Sequence, residues 1–394
     1  MTHARKYKEE QPVVAICYDF DKTLSPENMQ EQGFIQAVEE QVPDFWKTTN
    51  RLAEDNEMDQ NLAYMYMMKA RAAGKVLFTK KQLMEYGAKV RLFPGVADWF
   101  ERIRAYGRAK GVLVEHYIIS SGLKEMIEGT EVARAGAFKK IYASSFYYDE
   151  NGVAVWPAQV VNYTGKTQFL FRIEKGVLDI NDPAVNDSFA PEDLRVPFRN
   201  MIYIGDSDTD IPCMKLVNAN GGLSIGVYHP ETMEKAKVYQ MMQDNRIGYF
   251  APADYRAGTQ LDWLVKTIID RVAVNETLLK FHYANQKETE QNRPAEGSHE
   301  AYKADLIAAL ERSNSFASTH EVVKKMRLIA DWTQTEKEEL AGIALENRQV
   351  RYIVDDVDVG LFFDQLLGEN PSGPQAQRVK ELLEKRRKIR KQKG

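Results

Sequence analysis

Cysteine is nearly absent from this chain of 394 residues: there are two, Cys17 and Cys213, each inside an apolar segment. Two such thiols do not make a disulfide framework, and they suit a reducing compartment, by default the cytoplasm. Also missing is any uninterrupted apolar run approaching the roughly 18–20 residues of a membrane span. The opening MTHARKYKEEQPVV is charged and polar and passes at once into a short apolar segment, so it does not read as a secretory signal. Nor is there a large excess of one charge, since 53 Lys+Arg against 57 Asp+Glu leave a net −4. That balance hides an asymmetry: from Arg378 to Gly394 nine Lys/Arg face two Glu, a local +7, which leaves −11 for the rest. An acidic body argues against wrapping nucleic acid. The basic end offers itself to an anionic or protein partner, or is a solvated helix end.

What is present is a rhythm of short apolar runs and amphipathic stretches. VVAICY (13–18) has the β-branched, unbroken pattern of a strand buried on both faces. Runs of the same kind recur at His116–Ile119, Met201–Ile204 and Ser224–Val227, with a short fifth around Phe250. Residues 141–156 read as a hairpin around Asp149-Glu150-Asn151-Gly152. Helical patterns fall between the strands, which predicts a parallel sheet covered on both faces, an α/β fold. Residues 25–92 interrupt it with helices only, opened by Ser25 as N-cap and Pro26 at the first helical position. A helix over about 257–273 closes the unit, 177–199 reads as a surface connection, and beyond 275 only helices are expected. The expected organisation is a core of 12–24 with 93–275, a helical cap at 25–92, a helical domain at 276–369 and a basic tail at 370–394.

Polar clusters sit where these strands end, which is where open α/β sheets bind ligands. In Asp19-Phe20-Asp21-Lys22-Thr23 two carboxylates two residues apart on an extended strand end point the same way. One can attack phosphorus and the other, if protonated, can donate to the leaving oxygen and then take a proton from water. The bland alternative is a pair of surface aspartates. Ser120-Ser121-Gly122 offers a hydroxyl and backbone N–H groups to a phosphate oxygen, or simply a helix cap. Lys166 would offset charge on a transferring phosphoryl group, or is one more solvated lysine. Gly205-Asp206-Ser207-Asp208-Thr209-Asp210 follows a strand and suits a hard cation with oxygen ligands. Magnesium would take Asp19, Asp206 and the main-chain carbonyl of Asp21, with Asp210 holding Lys166 or a metal-bound water.

Taken together, DFDKT, IISSG, Lys166 and GDSDTD resemble the four motifs of the haloacid dehalogenase-like hydrolase superfamily over about residues 12–275. The resemblance implies a Rossmann-like core, Asp19 as nucleophile, Asp21 as acid/base and Ser120 and Lys166 as phosphate contacts. It also implies magnesium at Asp19, Asp21 and Asp206, and a cap similar to the phosphoserine phosphatase-like branch. In that branch a Glu closely follows the first motif. Here the spacing falls on Asn28, with Glu27 one residue earlier, which puts phosphoserine itself in doubt. The expected activity is hydrolysis of a small phosphomonoester through an aspartyl phosphate. The alternative is a binding or regulatory protein that uses the core as a scaffold and its C-terminal helices to recognise a partner.

Overall fold

The computed structural model describes residues 8–291 and 297–393. Seven strands form one sheet in the order β4-β3-β2-β1-β5-β6-β7. They are β1 (Val13–Tyr18), β2 (Leu113–Leu123), β3 (Lys140–Tyr148), β4 (Ala154–Gln159), β5 (Met201–Gly205), β6 (Leu223–Tyr228) and β7 (Tyr249–Pro252). All neighbours run parallel except β3 and β4, the antiparallel hairpin turned at 149–152. β1 is central. Its next strand in sequence lies on one side, and the chain later returns to its other side with β5, which makes the end of β1 the point where strand order reverses.

Why β1 reads as continuous apolar sequence is plain from its packing. Val14, Ile16 and Tyr18 enter one hydrophobic cluster while Val13, Ala15 and Cys17 enter a second, so alternate side chains face opposite layers of helices. Cys213 lies in the second cluster, and both thiols are buried and free.

Four α-helices fill the insertion between β1 and β2: Phe34–Ala37, Val42–Asp55, Gln60–Ala72 and Lys80–Gly87. The second buries Phe45, Thr49 and Ala53 at helical spacing, and the third starts where Asp59 accepts the N–H groups of Asn61 and Leu62. Two glycines bring the insertion against the core. A Cβ on Gly87 would lie 1.9 Å from the Met126 carbonyl oxygen, and one on Gly129 would lie 2.0 Å from that of Met84. The helices Lys80–Gly87 and Lys124–Gly129 therefore touch backbone to backbone. At the base, Phe93 N donates to Leu24 O at 2.9 Å and closes the insertion.

Three expectations need correction. No helix starts at Ser25-Pro26: its hydroxyl donates to Glu27 O, and the first helical residues are the turn Met29–Glu31. The helix expected over 257–273 runs from Gln260 to Gln291, through the expected boundary at 275/276. Nothing in its sequence stops it, since that stretch holds neither Gly nor Pro. The chain divides instead into compact units of 1–283 and 284–394. Finally, residues 370–394 are not a separate tail. Pro374–Lys393 is helical, and Ala376, Val379 and Leu383 are buried in the second unit's core.

That second unit is helical throughout its described residues, with its own core around Leu310, Trp332, Leu340 and Phe363. Ser298, Ser315 and Thr333 cap its helices, the last in a reciprocal pair with Glu336. Thr319 is buried inside a helix, and His320 one residue on lies 2.6 Å from Asp358. No described helix in either unit is long and apolar enough to cross a membrane.

Candidate active site

Asp19 is the first residue beyond β1, and its N–H donates to Ile204 O at 3.0 Å, which fixes it to the neighbouring strand β5. The chain then turns sharply. Lys22 has φ 57°, and the N–H groups of Thr23, Leu24 and Ser25 all point to Phe20 O. Tyr255 holds the turn by donating to Thr23 O at 2.8 Å. The turn separates the two carboxylates. Asp19 Oδ1 accepts the Phe20 N–H at 2.7 Å, and Oδ2 lies 3.2 Å from Lys166 Nζ. Asp21 Oδ1 accepts the Met29 N–H at 2.8 Å, and its Oδ2 faces Gly122, where a Cβ would sit 3.0 Å away.

Lys166 ends a short turn before the helix Thr167–Lys175 and is fully buried, its ammonium donating to Asp210 Oδ1 at 2.7 Å. Tyr203 adds its hydroxyl to the same oxygen at 2.8 Å, while Asp210 Oδ2 accepts the N–H and the hydroxyl of Ser207. Gly205 leaves room for this, because a Cβ there would be 2.6 Å from Asp210 Oδ2. Asp210 is thus spent on orienting Lys166. Asp206 accepts only a long contact from Thr23 Oγ1 at 3.5 Å among its hydrogen bonds, and Asp208 pairs with Lys237 at the surface.

Burial sets the electrostatics. Desolvation, reinforced by Asp210 and then opposed by Lys166, pushes Asp19 up to about 6. Desolvation with Asp210 and Asp19 pushes Asp206 up to about 8, and desolvation with Asp19 raises Asp21 well above the carboxylate range. For Lys166 desolvation works downward, but Asp19 and Asp210 outweigh it and hold the ammonium charged. One lysine cannot neutralise this many carboxylates.

Oxygens of Asp19, Asp206 and Asp210 lie within 4.8 Å of one another, an all-oxygen set that fits a hard divalent cation. With Asp210 already accepting four hydrogen bonds, Asp19 and Asp206 are the better ligands. The Asp21 carboxylate stands outside this cluster, so only its main-chain carbonyl is left for the expected metal role.

Ser120, in β2, accepts the Gly122 N–H on Oγ at 3.1 Å, and its hydroxyl also helps to keep Asp19 ionised. The Ser121 carbonyl accepts from Tyr64 and Ser144, whereas Ser121 Oγ is buried without a partner. Gly122 earns its place sterically, since a Cβ would be 2.3 Å from Met29 Cε. Its N–H is taken by Ser120, so the free N–H groups expected of this segment are partly engaged.

Two cavities flank the aspartates. One of about 410 Å³ opens beside Asp206 and is lined by Lys22, Phe93, His229 and Lys237 among others. The other, of about 160 Å³, lies between the insertion and the core next to Asp21, with Gln30, Trp46, Asn61, Tyr64 and Ser121 in its wall. Sequence reasoning missed Tyr203, Tyr255, Gln30, Trp46 and Asn61. Only Asn61 left a sign, an amide on the apolar face of a helix. On the helix that carries Asn61, Tyr64 lines the cavity, Met65, Met67 and Met68 are core, and Tyr66 is exposed. Glu27 is occupied at the surface by Arg91 at 2.7 Å.

A mostly parallel sheet covered on both faces, with acidic residues gathered where its strand order reverses, defines an α/β protein with a candidate active site at its strand ends. Residues 16–215 match the family described as haloacid dehalogenase-like hydrolase, and the chain belongs to that family. It is 26% identical over 287 residues to an uncharacterized protein of Borreliella burgdorferi, a similarity spanning 66% of this chain and 98% of the relative. Among solved structures it is similar to a HAD family hydrolase of Salmonella enterica serovar Typhi, with 16% identity, 66% of this chain and 73% of that one covered, and a TM-score of 0.44. A probable phosphoserine phosphatase from Vibrio cholerae matches with 13% identity, 68% and 67% coverage, and a TM-score of 0.43.

Proposed function

We propose that the protein is a magnesium-dependent phosphomonoester hydrolase of the phosphoserine phosphatase-like branch, working through an aspartyl phosphate on Asp19. The observation that carries this reading is the pairing of a buried and a half-buried carboxylate with different partners: Asp19 beside the Lys166 ammonium, and Asp21 beside a single N–H and a glycine. An ammonium 3.2 Å from Asp19 Oδ2 keeps that carboxylate ionised and lies where it can meet a phosphoryl oxygen. Asp21 faces the opposite demand. Desolvation and the Asp19 charge favour its protonated form, and Oδ2 has no N–H donor, so it can carry the proton a leaving oxygen needs.

In the first step a carboxylate oxygen of Asp19 forms the P–O bond, the ester P–O bond breaks, and Asp21 delivers its proton to the departing alkoxide. In the second, the ionised Asp21 takes a proton from water, which attacks phosphorus and frees Asp19. Ser120 orients Asp19, and Asp210 with Tyr203 keeps Lys166 in place. Held by Asp19, Asp206 and the Asp21 carbonyl, magnesium would neutralise the charge gathered between nucleophile and phosphate. A reducing cytoplasmic setting suits the two free thiols.

The test is phosphate release from a panel of phosphomonoesters, with and without magnesium. Asp19→Asn should lower release at least about a thousandfold with the fold intact, and Asp206→Ala should abolish or weaken the magnesium response. Near-normal release by Asp19→Asn removes the nucleophile assignment, and an unchanged metal titration in Asp206→Ala removes the metal site.

A further inference from the structure

The cavity beside Asp21 carries more information than its position. Its wall contains Asp21 but no lysine, arginine or second carboxylate. What it presents instead is neutral polarity: the amides of Asn28, Gln30 and Asn61, the Ser121 hydroxyl, and the rings of Trp46 and Tyr64. Two of these are unsatisfied. Gln30 Oε1, in a residue 2% exposed, and Ser121 Oγ are buried without a hydrogen-bond partner. Buried polar atoms are nearly always paired in a finished site, so two orphans in one wall mark where a ligand's own groups complete the set. Their neighbours are fixed. Asn61 donates to Val161 O at 2.7 Å, Tyr64 to Ser121 O at 2.8 Å, and Glu31 Oε1 accepts both Asn28 and the Trp46 indole N–H. Glu31 is therefore committed to orienting the wall.

We infer that this cavity selects phosphomonoesters whose leaving group is neutral and hydrogen-bonding, a polyhydroxy group of up to about a single sugar ring, over those bearing a carboxylate or ammonium. The inference deepens the phosphatase reading and rests on it for the position of the phosphate. At about 160 Å³ the space is close to that of engineered cavities, ~150 Å³, that take a benzene-sized guest. Hydroxyls can exchange hydrogen bonds with the Gln30 amide and the Ser121 hydroxyl once these buried groups turn towards the cavity, while the C–H face of a ring lies on Trp46 or Tyr64. A substrate carboxylate would enter beside Asp21 with no cation to meet it, and a site that leaves a charge unpaired rejects it.

The experiment measures equilibrium binding to full-length Asp19→Asn protein with magnesium, and turnover by the unsubstituted protein. The ligands are inorganic phosphate, glycerol and hexose phosphates, a pyrimidine nucleotide, phosphoserine and phosphoglycerate. At least one polyol or sugar phosphate should bind tenfold or more tightly than phosphate, phosphoserine and phosphoglycerate. Adding Gln30→Leu, nearly equal in volume, should collapse that advantage about tenfold, with Ser121→Ala as the second probe. Preference for a charged ester, preference for the nucleotide alone, or no ester binding better than phosphate overturns the inference. The two readings fail separately. Selective binding without any turnover sinks the hydrolase and keeps the selectivity, whereas turnover confined to charged esters does the reverse.

Discussion

Asp206 is raised to about 8 and Asp19 to about 6, with desolvation the largest cause for each. The sign of the consequence follows. Folded, these groups hold protons that the unfolded chain releases near pH 4, so without a cation stability falls as pH rises from about 4 towards 8. A divalent ion bound between them would replace those protons. Magnesium should therefore raise the melting temperature more at pH 8 than at pH 5, as measured by thermal scans against a chelator control. An equal rise at both values would place the ion elsewhere. At this scale the sequence was informative where chemistry concentrates at strand ends: Asp19, Asp21, Ser120, Lys166, Asp206 and Asp210 come together as neighbours of one site. It was silent on Tyr203 and Gln30. Their roles depend on which neighbour a packed side chain meets, and no local pattern encodes that.

Elements were legible in proportion to how local their causes are. The strands follow from unbroken apolar runs and the 149–152 turn from its composition. The start of the insertion was misread because Ser25-Pro26 mimics a cap, whereas Asp21, a tertiary partner, takes the Met29 N–H and sets the real turn. Equally invisible was the reciprocal contact of Gly87 and Gly129, which only a close helix pair makes necessary. A Cβ at Gly129 would meet backbone, which cannot swing aside, so the helices must part. Gly129→Ala should cost about 1–3 kcal/mol in urea unfolding. It should also raise KM more than it lowers kcat, since the insertion walls the cavity beside Asp21. A stability change under about 0.5 kcal/mol would show that the helices can separate freely.

The molecule as a whole is two units, each with its own core. Loss of strand patterns after about 275 made a second region visible in the sequence. Its limits were not, because an uninterrupted helix carries no boundary signal. The basic charge of the last residues disguised the apolar positions Val379 and Leu383, both fully buried. Deleting 374–394 should leave phosphate release within about twofold, because every candidate catalytic group lies before residue 284. The second unit should lose on the order of 1.5–3 kcal/mol for each large aliphatic removed and become sensitive to limited proteolysis. A large loss of turnover would mean that catalysis depends on the second unit.

The scarcity of cysteine has a use beyond what it excludes. Cys17 lies in the central strand and Cys213 in the helix after the Asp-rich turn, both inaccessible, and burial raises Cys17 while it pushes Cys213 up to about 12. Neither thiol belongs to residues 284–394. A thiol-reactive dye is therefore a clock on one unit only. Its uptake times the opening of the sheet that carries Asp19, however often the helices of the other unit come and go.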